Sequence, residues 1–208
     1  MPLQIDQLSL GMLQTNCYLL GDSETREALL IDPSDEAEII LAKIAERGYT
    51  VRQILATHAH FDHILASYPV KVALGAPFHL HADEVWQLKN MEQLARMFGI
   101  PVQHPPAEHD GLISHGEIIQ VGAIRLEARF TPGHSPGHLA FRLLGAGIIF
   151  GGDCLFMGGI GRTDLPGGDA NRLAQSLREE FLSLPDETIV LPGHGPQTTI
   201  GRERAGLS

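Results

Sequence analysis

Apolar positions recur along this chain with two spacings, and the two alternate. Runs around Leu8 and at residues 18–20, 28–31 and 51–56 are short, as buried strands require, and Asp32, Pro33 and Ser34 supply a turn after the third. Residues 35–47 instead place Ala37, Ile40, Leu41, Ile44 and Ala45 at helical spacing, with Gly48 as the stop signal. A helix begins near Asp62; Pro69 is expected to break it, and residues 70–74 to start a new short one. After a short strand at residues 78–80, residues 82–98 read as one further helix carrying Val85, Trp86, Leu88, Met91, Leu94, Ala95 and Phe98. That stripe of Met and aromatic residues reads as core or lid packing rather than a ligand box. Residues 101–111 contain three prolines and two histidines, and form the expected mobile loop. Strands follow at residues 117–121, 124–130, 139–144 and 147–150, then a helix at 169–184 and a last strand at 188–191. No repeat, low-complexity segment or linker interrupts the series. Periodicity therefore implies one mixed α and β domain over residues 1–208.

Composition narrows the class. The chain has 208 residues, enough for a sizeable core, with 43% hydrophobic and 19% charged residues. Mean hydropathy is near zero, which fits neither a disordered nor a membrane-embedded chain. A formal charge of −10 argues against nucleic acid as a partner, because phosphates demand a basic surface. Cys17 and Cys154 lie far apart and do not make a disulfide framework; Cys154 reads as a small buried hydrophobe. No signal-peptide pattern opens the chain and no apolar run reaches membrane-spanning length, so the expected location is the cytoplasm.

The chemistry is concentrated in Thr57-His58-Ala59-His60-Phe61-Asp62-His63, directly after the apolar run at 51–56. Alternate residues of a strand share a face, so His58 and His60 can point the same way. A helix starting there would project Asp62 and His63 from its first turn into the same space. Imidazole with carboxylate suits zinc, iron or manganese better than calcium or magnesium. A polar loop that is histidine-rich by chance is the bland alternative, and four such groups in six residues argue against it.

Three more candidates sit in glycine-rich surroundings after apolar runs. They are His134 in Pro132-Gly133-His134-Ser135, Asp153 in Gly151-Gly152-Asp153-Cys154, and His194 in Pro192-Gly193-His194-Gly195. Glycine at such ends lets backbone approach a site closely. Five His and two Asp exceed the needs of one tetrahedral ion and fit two ions sharing a carboxylate. His58, His60 and His134 would hold one ion, Asp62, His63 and His194 the other, with Asp153 between them.

This order of ligands resembles the metallo-β-lactamase superfamily, and the resemblance spans nearly the whole chain, from Asn16-Cys17-Tyr18 and Leu30-Ile31-Asp32-Pro33 to His194. It implies an α+β fold, the four-layer αββα sandwich, with the metals at one edge. Gly161-Arg162-Thr163-Asp164, Gly167-Gly168-Asp169 and Pro192-Gly193-His194-Gly195-Pro196 resemble the short bacterial glyoxalase II-like (hydroxyacylglutathione hydrolase) proteins. Two departures stand out. Leu65-Ala66 replaces the usual Gly-Gly pair, so added bulk is expected to press on the helix carrying Asp62 and His63. Pro196 stands where an aromatic residue often follows the last histidine. The chain also stops soon after His194, without the C-terminal helical domain of larger glyoxalase II enzymes.

Two metals ~3.5–4 Å apart hold a bridging hydroxide and lower the pKa of bound water toward neutrality. Metal-assisted hydrolysis is thus the expected reaction, with two divalent ions as cofactors, zinc first and iron or manganese as alternatives. Asp62 can orient the nucleophile while it also binds metal. A thiol, with a pKa near ~8.5, leaves without a dedicated general acid, so a small-molecule thioester is a reasonable substrate. The resemblance makes S-D-lactoylglutathione or a related hydroxyacyl thioester the first choice, with Arg162 as the substrate contact. The other expectations are a persulfide dioxygenase holding one iron through His58, His134 and Asp153, a lactonase or β-lactamase-like hydrolase, and a binding protein using the metals structurally. His138 is a candidate partner for a ligand; His79 and His81 read as surface residues or supports behind the ligands, and His104, His109 and His115 as solvated.

Overall fold

The computed structural model describes residues 3–207. The first sheet runs in chain order: β1 (Leu3–Leu10), β2 (Thr15–Asp22), β3 (Glu27–Ile31), β4 (Thr50–Leu55), β5 (Phe78–Leu80) and β6 (Gly111–Leu112). β1 to β3 pair antiparallel, and β3 to β6 parallel. The second sheet contains β7 (Ile118–Val121), β8 (Ile124–Phe130), β9 (Leu139–Leu143), β10 (Ile148–Gly152), β13 (Ile189–Pro192) and β14 (Thr198–Thr199), in the order β14-β13-β10-β9-β8-β7. A two-stranded ribbon, β11 (Leu155–Phe156) with β12 (Gly159–Ile160), lies beyond β10.

Side chains alternate across each sheet, so the central strands divide their residues between layers. Leu20, Leu29 and Leu55 from the first sheet meet Leu126, Phe141 and Phe150 from the second in a buried layer between them. Their neighbours Leu19, Leu30 and Ile54 face the opposite way, onto a layer that includes Ile40 and Ile44 of α1 (Ala37–Arg47) and Val70 of α3 (Ser67–Leu74). Ala140, Ile149 and Val190 do the same in the second sheet, against Leu173 of α6 (Ala170–Ser176) and Ile200 of α7 (Ile200–Leu207). Burial on both faces explains why β2, β3 and β10 read as continuous apolar runs. The result is helix, sheet, sheet, helix: the expected αββα sandwich. No helix among the described residues is long and apolar enough to cross a membrane.

Three expected helices are cut differently. The helix near Asp62 is a single turn, α2 (Phe61–Ile64), and the break falls at Leu65 and Ala66 rather than at Pro69. The Ala66 N–H leaves the helix for the carbonyls of Pro33 and Ser34. Pro69 then sits in the first turn of α3, where a missing N–H is harmless. Residues 82–98 form a 3₁₀ turn at Ala82–Glu84, then α4 (Val85–Lys89) and α5 (Met91–Met97). Asn90 breaks the run, its amide donating back to the Trp86 carbonyl at 2.7 Å, the local bonding that makes Asn a poor helix interior residue. The helix expected at 169–184 begins at an Asp169 cap and widens after Ser176 into a π turn over Leu177–Phe181. Residues 101–110 are irregular, as expected, but fastened: Ala107 N–H donates to Ser67, and Lys71 reaches the Glu108 carbonyl and Asp110.

Candidate metal centre

The functional side chains follow the C-terminal ends of strands from both sheets. His58 and His60 come after β4, His134 after β8, Asp153 after β10 and His194 after β13, while Asp62 and His63 lie on α2. Asn16 fastens the last loop to the first sheet: its amide donates to the carbonyls of Pro192 and Gly195, and its backbone N–H to Gly193. Tyr18 adds a 2.7 Å bond from its hydroxyl to the Pro192 carbonyl. Gly193 is required by contact, because a β-carbon there would overlap Asp153 Oδ1 and the His63 ring.

All seven expected residues converge. His58 Nε2 lies 3.1 Å from His60 Nδ1 and 3.2 Å from His134 Nε2. On the other side, Asp62 Oδ2 is 3.7 Å from His63 Nε2 and 3.2 Å from His194 Nε2. Asp153 stands between the two sets, with Oδ1 3.3 Å from His63 Nε2 and Oδ2 3.6 Å from His134 Nε2 and 3.5 Å from His194 Nε2.

On four of the five histidine rings, hydrogen bonds on the far side decide which nitrogen faces inward, while His60 presents Nδ1. His134 Nδ1–H donates to the Arg162 carbonyl (2.8 Å), and His194 Nδ1–H to the Leu13 carbonyl (3.1 Å). His63 Nδ1–H donates to Asp32 Oδ2 (2.9 Å). Thr57 gives its own hydroxyl proton to the same Asp32 oxygen (2.8 Å), so its oxygen accepts from His58 Nδ1–H at 3.0 Å. Each Nε2 is therefore left as a lone pair pointing into the cluster, the arrangement metal-binding imidazoles use.

Lone pairs do not belong 3.2–3.3 Å apart without something positive between them. His63 Nε2 and Asp153 Oδ1 are both buried and both lack a hydrogen-bond partner. Zn–N bonds of 2.0–2.1 Å in a tetrahedron would set ligand atoms about 3.4 Å apart, which matches the spacing of these atoms. Electrostatics agree. Burial, reinforced by the neighbouring His63, holds His58 well below its ordinary pKa, and burial with His134 lowers His60 to about 3. His63 goes the other way: burial opposes its charge, but Asp153 and Asp62 outweigh it and raise its pKa well above the ordinary value. Burial works against the Asp153 carboxylate too, yet His63 drives its pKa far down. His58 and His60 are thus held neutral and Asp153 ionised, the forms that bind metal. The carboxylates around His63 favour positive charge there, which a metal ion would supply; the donor set can hold metal ions.

Sequence reasoning missed two supports. Asp32 appeared only as a turn residue, yet it is buried and steers His63 directly and His58 through Thr57. Its positive φ of 52° turns the chain there, a conformation Asp tolerates better than most residues. Glu84 gave no local signal. Its buried carboxylate accepts from Ala59 N–H, Ser135 Oγ and Gly137 N–H, each at 2.7 Å, so it clamps the loop between His58 and His60 to the loop after His134. Burial pushes the Glu84 pKa up against the pull of these three donors.

His138 supports the site without joining it. Its Nε2 accepts the Asp153 N–H at 3.1 Å and its Nδ1 meets Thr131 Oγ1 at 2.7 Å. Cys154 is fully buried, with burial pushing its thiol up to about 12. Leu65 packs against the helix-side core and Ala66 is buried, and the seven residues converge with this pair in place of Gly-Gly. His79 and His81 lie outside the cluster; His81 caps the 3₁₀ turn and stacks on Phe130. His104 and His115 are exposed and His109 half-buried, and Pro196 is exposed. Arg162 lines the cleft, but its exposed guanidinium makes two hydrogen bonds to Asp164, at 2.8 and 2.7 Å. That cleft, about 480 Å³, opens onto His60, Asp62, His134, Asp153 and His194.

Residues 10–194 match the family model of the metallo-β-lactamase superfamily. The chain belongs to this superfamily. Superfamily members are in general metal-dependent hydrolases, and the His/Asp cluster fits that chemistry. Among its relatives is a probable metallo-hydrolase of Bacillus subtilis, 40% identical over 95% of this chain and 93% of the relative. A hydroxyacylglutathione hydrolase of Haemophilus influenzae is 34% identical over 97% and 95%. A mitochondrial persulfide dioxygenase of Bos taurus is 35% identical over 86% of this chain and 63% of its own length. Two similar solved structures are a B3 metallo-β-lactamase, with TM-score 0.90, 38% identity and 97% of each chain covered, and a protein in a di-iron-bound form, with TM-score 0.87, 41% identity and 96% of each covered.

Proposed function

We propose that this member of the superfamily is a dinuclear metal-dependent thioester hydrolase of the glyoxalase II type, acting on S-D-lactoylglutathione or a related hydroxyacyl thioester. The observation that carries the reading is the position of Asp153, whose Oδ2 lies between His134 of one set (3.6 Å) and His194 of the other (3.5 Å), while Oδ1 faces His63. His58, His60 and His134 would hold one ion and Asp62, His63 and His194 the second, with Asp153 shared. Zinc is the first choice, and the di-iron form of a similar protein keeps iron open. Bound there, a pair of divalent ions supplies Lewis acidity and makes water a nucleophile at neutral pH.

The protein's own groups do the positioning. Asp62 Oδ2 accepts from Thr15 Oγ1 at 2.9 Å, which turns the carboxylate toward the cleft, where it can accept a proton from the attacking water. The water oxygen bonds to the acyl carbon, the C–S bond breaks, and the sulfur leaves as thiolate. With a thiol pKa near ~8.5 that departure requires no proton donor. Arg162, at the cleft wall, is the proposed contact for a carboxylate of the thiol carrier. We place the reaction in the cytoplasm, on a small molecule and without nucleic acid or membrane, a reading supported by the −10 charge and two unpaired buried cysteines.

Similarity to a persulfide dioxygenase supports a second reading, with one iron on His58, His134 and Asp153. That reading gives no role to Asp62 and His194, whose facing atoms lie 3.2 Å apart. Incubating metal-reconstituted protein with S-D-lactoylglutathione tests the choice. Release of thiol and D-lactate without oxygen uptake supports the hydrolase; oxygen uptake with glutathione persulfide and no thiol release from the thioester overturns it.

A further inference from the structure

The walls of the cleft differ in character from its floor. Away from the metal-binding groups they are built by Leu13, Leu94, Phe98, Phe156, Leu165 and Pro166. Leu13 and Phe98 are each about half exposed, at 46% and 50%, so they present apolar surface to whatever enters. Phe98 is backed by the Phe61 ring, 5.5 Å away between centroids. The polar wall residues offer little to a charged ligand. The Gln87 amide already donates to the Pro166 carbonyl at 3.1 Å. Among the described residues lining the cleft the only Lys or Arg is Arg162, and its Nε and one terminal nitrogen are held by Asp164.

Glutathione presents two carboxylates and one ammonium, a net negative carrier. It would enter a protein of charge −10 through a cleft whose single guanidinium is already paired with Asp164. An uncharged apolar thiol meets no such competition and buries its surface against the leucine and phenylalanine walls, as most small-molecule sites do. We infer that, among the hydroxyacyl thioesters it hydrolyses, the cleft favours those whose thiol carrier is uncharged and apolar or aromatic, and takes the glutathione thioester as the weaker-binding substrate. The inference rests on the hydrolase reading for the reaction, but not for the binding preference.

Two carriers with the same acyl group separate the possibilities: S-D-lactoylglutathione and the S-D-lactoyl thioester of benzyl mercaptan. Their non-hydrolysable thioether analogues are titrated calorimetrically into metal-loaded protein, and the thioesters are assayed for thiol release. The benzyl analogue is expected to bind at least about tenfold tighter, with kcat/KM following the same order. Phe98→Ser should reduce that preference toward equality while metal content stays unchanged. Equal or tighter binding of the glutathione analogue overturns the inference, as does a preference that survives Phe98→Ser undiminished. Tighter benzyl binding with neither thioester hydrolysed keeps the inference and defeats the hydrolase reading.

Discussion

Asp32 Oδ2 accepts the Nδ1–H of His63 at 2.9 Å and, on the same oxygen, the Thr57 hydroxyl that in turn accepts from His58. One buried carboxylate thus fixes a ligand on each side of the centre. Asp32→Ala should weaken metal binding by about 10–100-fold, the usual effect of losing such a partner, and should affect both ions. Competition with a chromophoric chelator measures it. Loss confined to a single ion would mean that the Thr57 relay does not orient His58.

Glu84 is a clamp rather than a ligand, and its substitution makes a different prediction. Glu84→Gln keeps the shape but turns an amide NH₂ toward at least one of the three donors on Ala59, Ser135 and Gly137. A buried donor left without an acceptor costs about 1–3 kcal/mol. Denaturant unfolding should record a loss of that order, and the ion held by His58, His60 and His134 should be released first. Unchanged stability and metal content would remove Glu84 from the account.

How much of this was legible from the sequence depends on distance along the chain. The runs at 28–31 and 147–150 announced β3 and β10 because burial on both faces leaves no polar residue to confuse the pattern. β8 instead showed as alternation, with Arg125, Glu127 and Arg129 between apolar residues. The metal-facing residues were legible because four lie within six positions and the others each sit beside a glycine. The break at Ala66 was not, because its cause is a bond to Pro33 and Ser34, thirty residues away. Asn90 and Glu84 were hidden for related reasons. A helical stripe of Val85, Leu88 and Met91 outweighed one Asn, and nothing near Glu84 in sequence hints that Ala59 and Ser135 will surround it. Arg162 was legible as a residue facing the cleft; its pairing with Asp164, two residues on, went unread.

That pairing has a pH signature. Hydrogen bonds from Arg162, more than any other influence, lower the Asp164 pKa from 3.8 to about 2. A carboxylate with a depressed pKa stabilises the loop above its ordinary pKa, and the contribution fades as pH falls through about 2. At neutral pH the pair is therefore intact. A carboxyl titration followed by NMR should place Asp164 near 2 in the wild type and higher, toward its ordinary value, in Arg162→Ala.

On the proposed function, the same pair sets the binding of the thiol carrier. Arg162→Ala should raise KM for S-D-lactoylglutathione with kcat nearly unchanged, as expected for an interaction equal in ground and transition states. His134 should be unaffected, since it is held by the Arg162 backbone carbonyl. Asp164→Asn frees the guanidinium and should lower that KM. Equal damage by Arg162→Ala to charged and uncharged thioesters would assign Arg162 to structure instead.

Cys154 adjoins Asp153 but is fully buried with its thiol pKa pushed up to about 12, so it should be inert. Iodoacetamide at pH 8 should leave Cys154 unmodified in the folded protein and alkylate it after denaturation. Modification of the native form, with loss of activity, would give the thiol a part in the reaction.

The central claim is a centre of two ions joined through Asp153, and elemental analysis of purified, metal-reconstituted protein tests it most directly. Wild type should carry about two metal equivalents per chain, and Asp153→Ala should lose metal and thioester hydrolysis together, because both halves of the cluster share that carboxylate. A single firmly bound iron in the wild type, unchanged by reconstitution, would contradict the account.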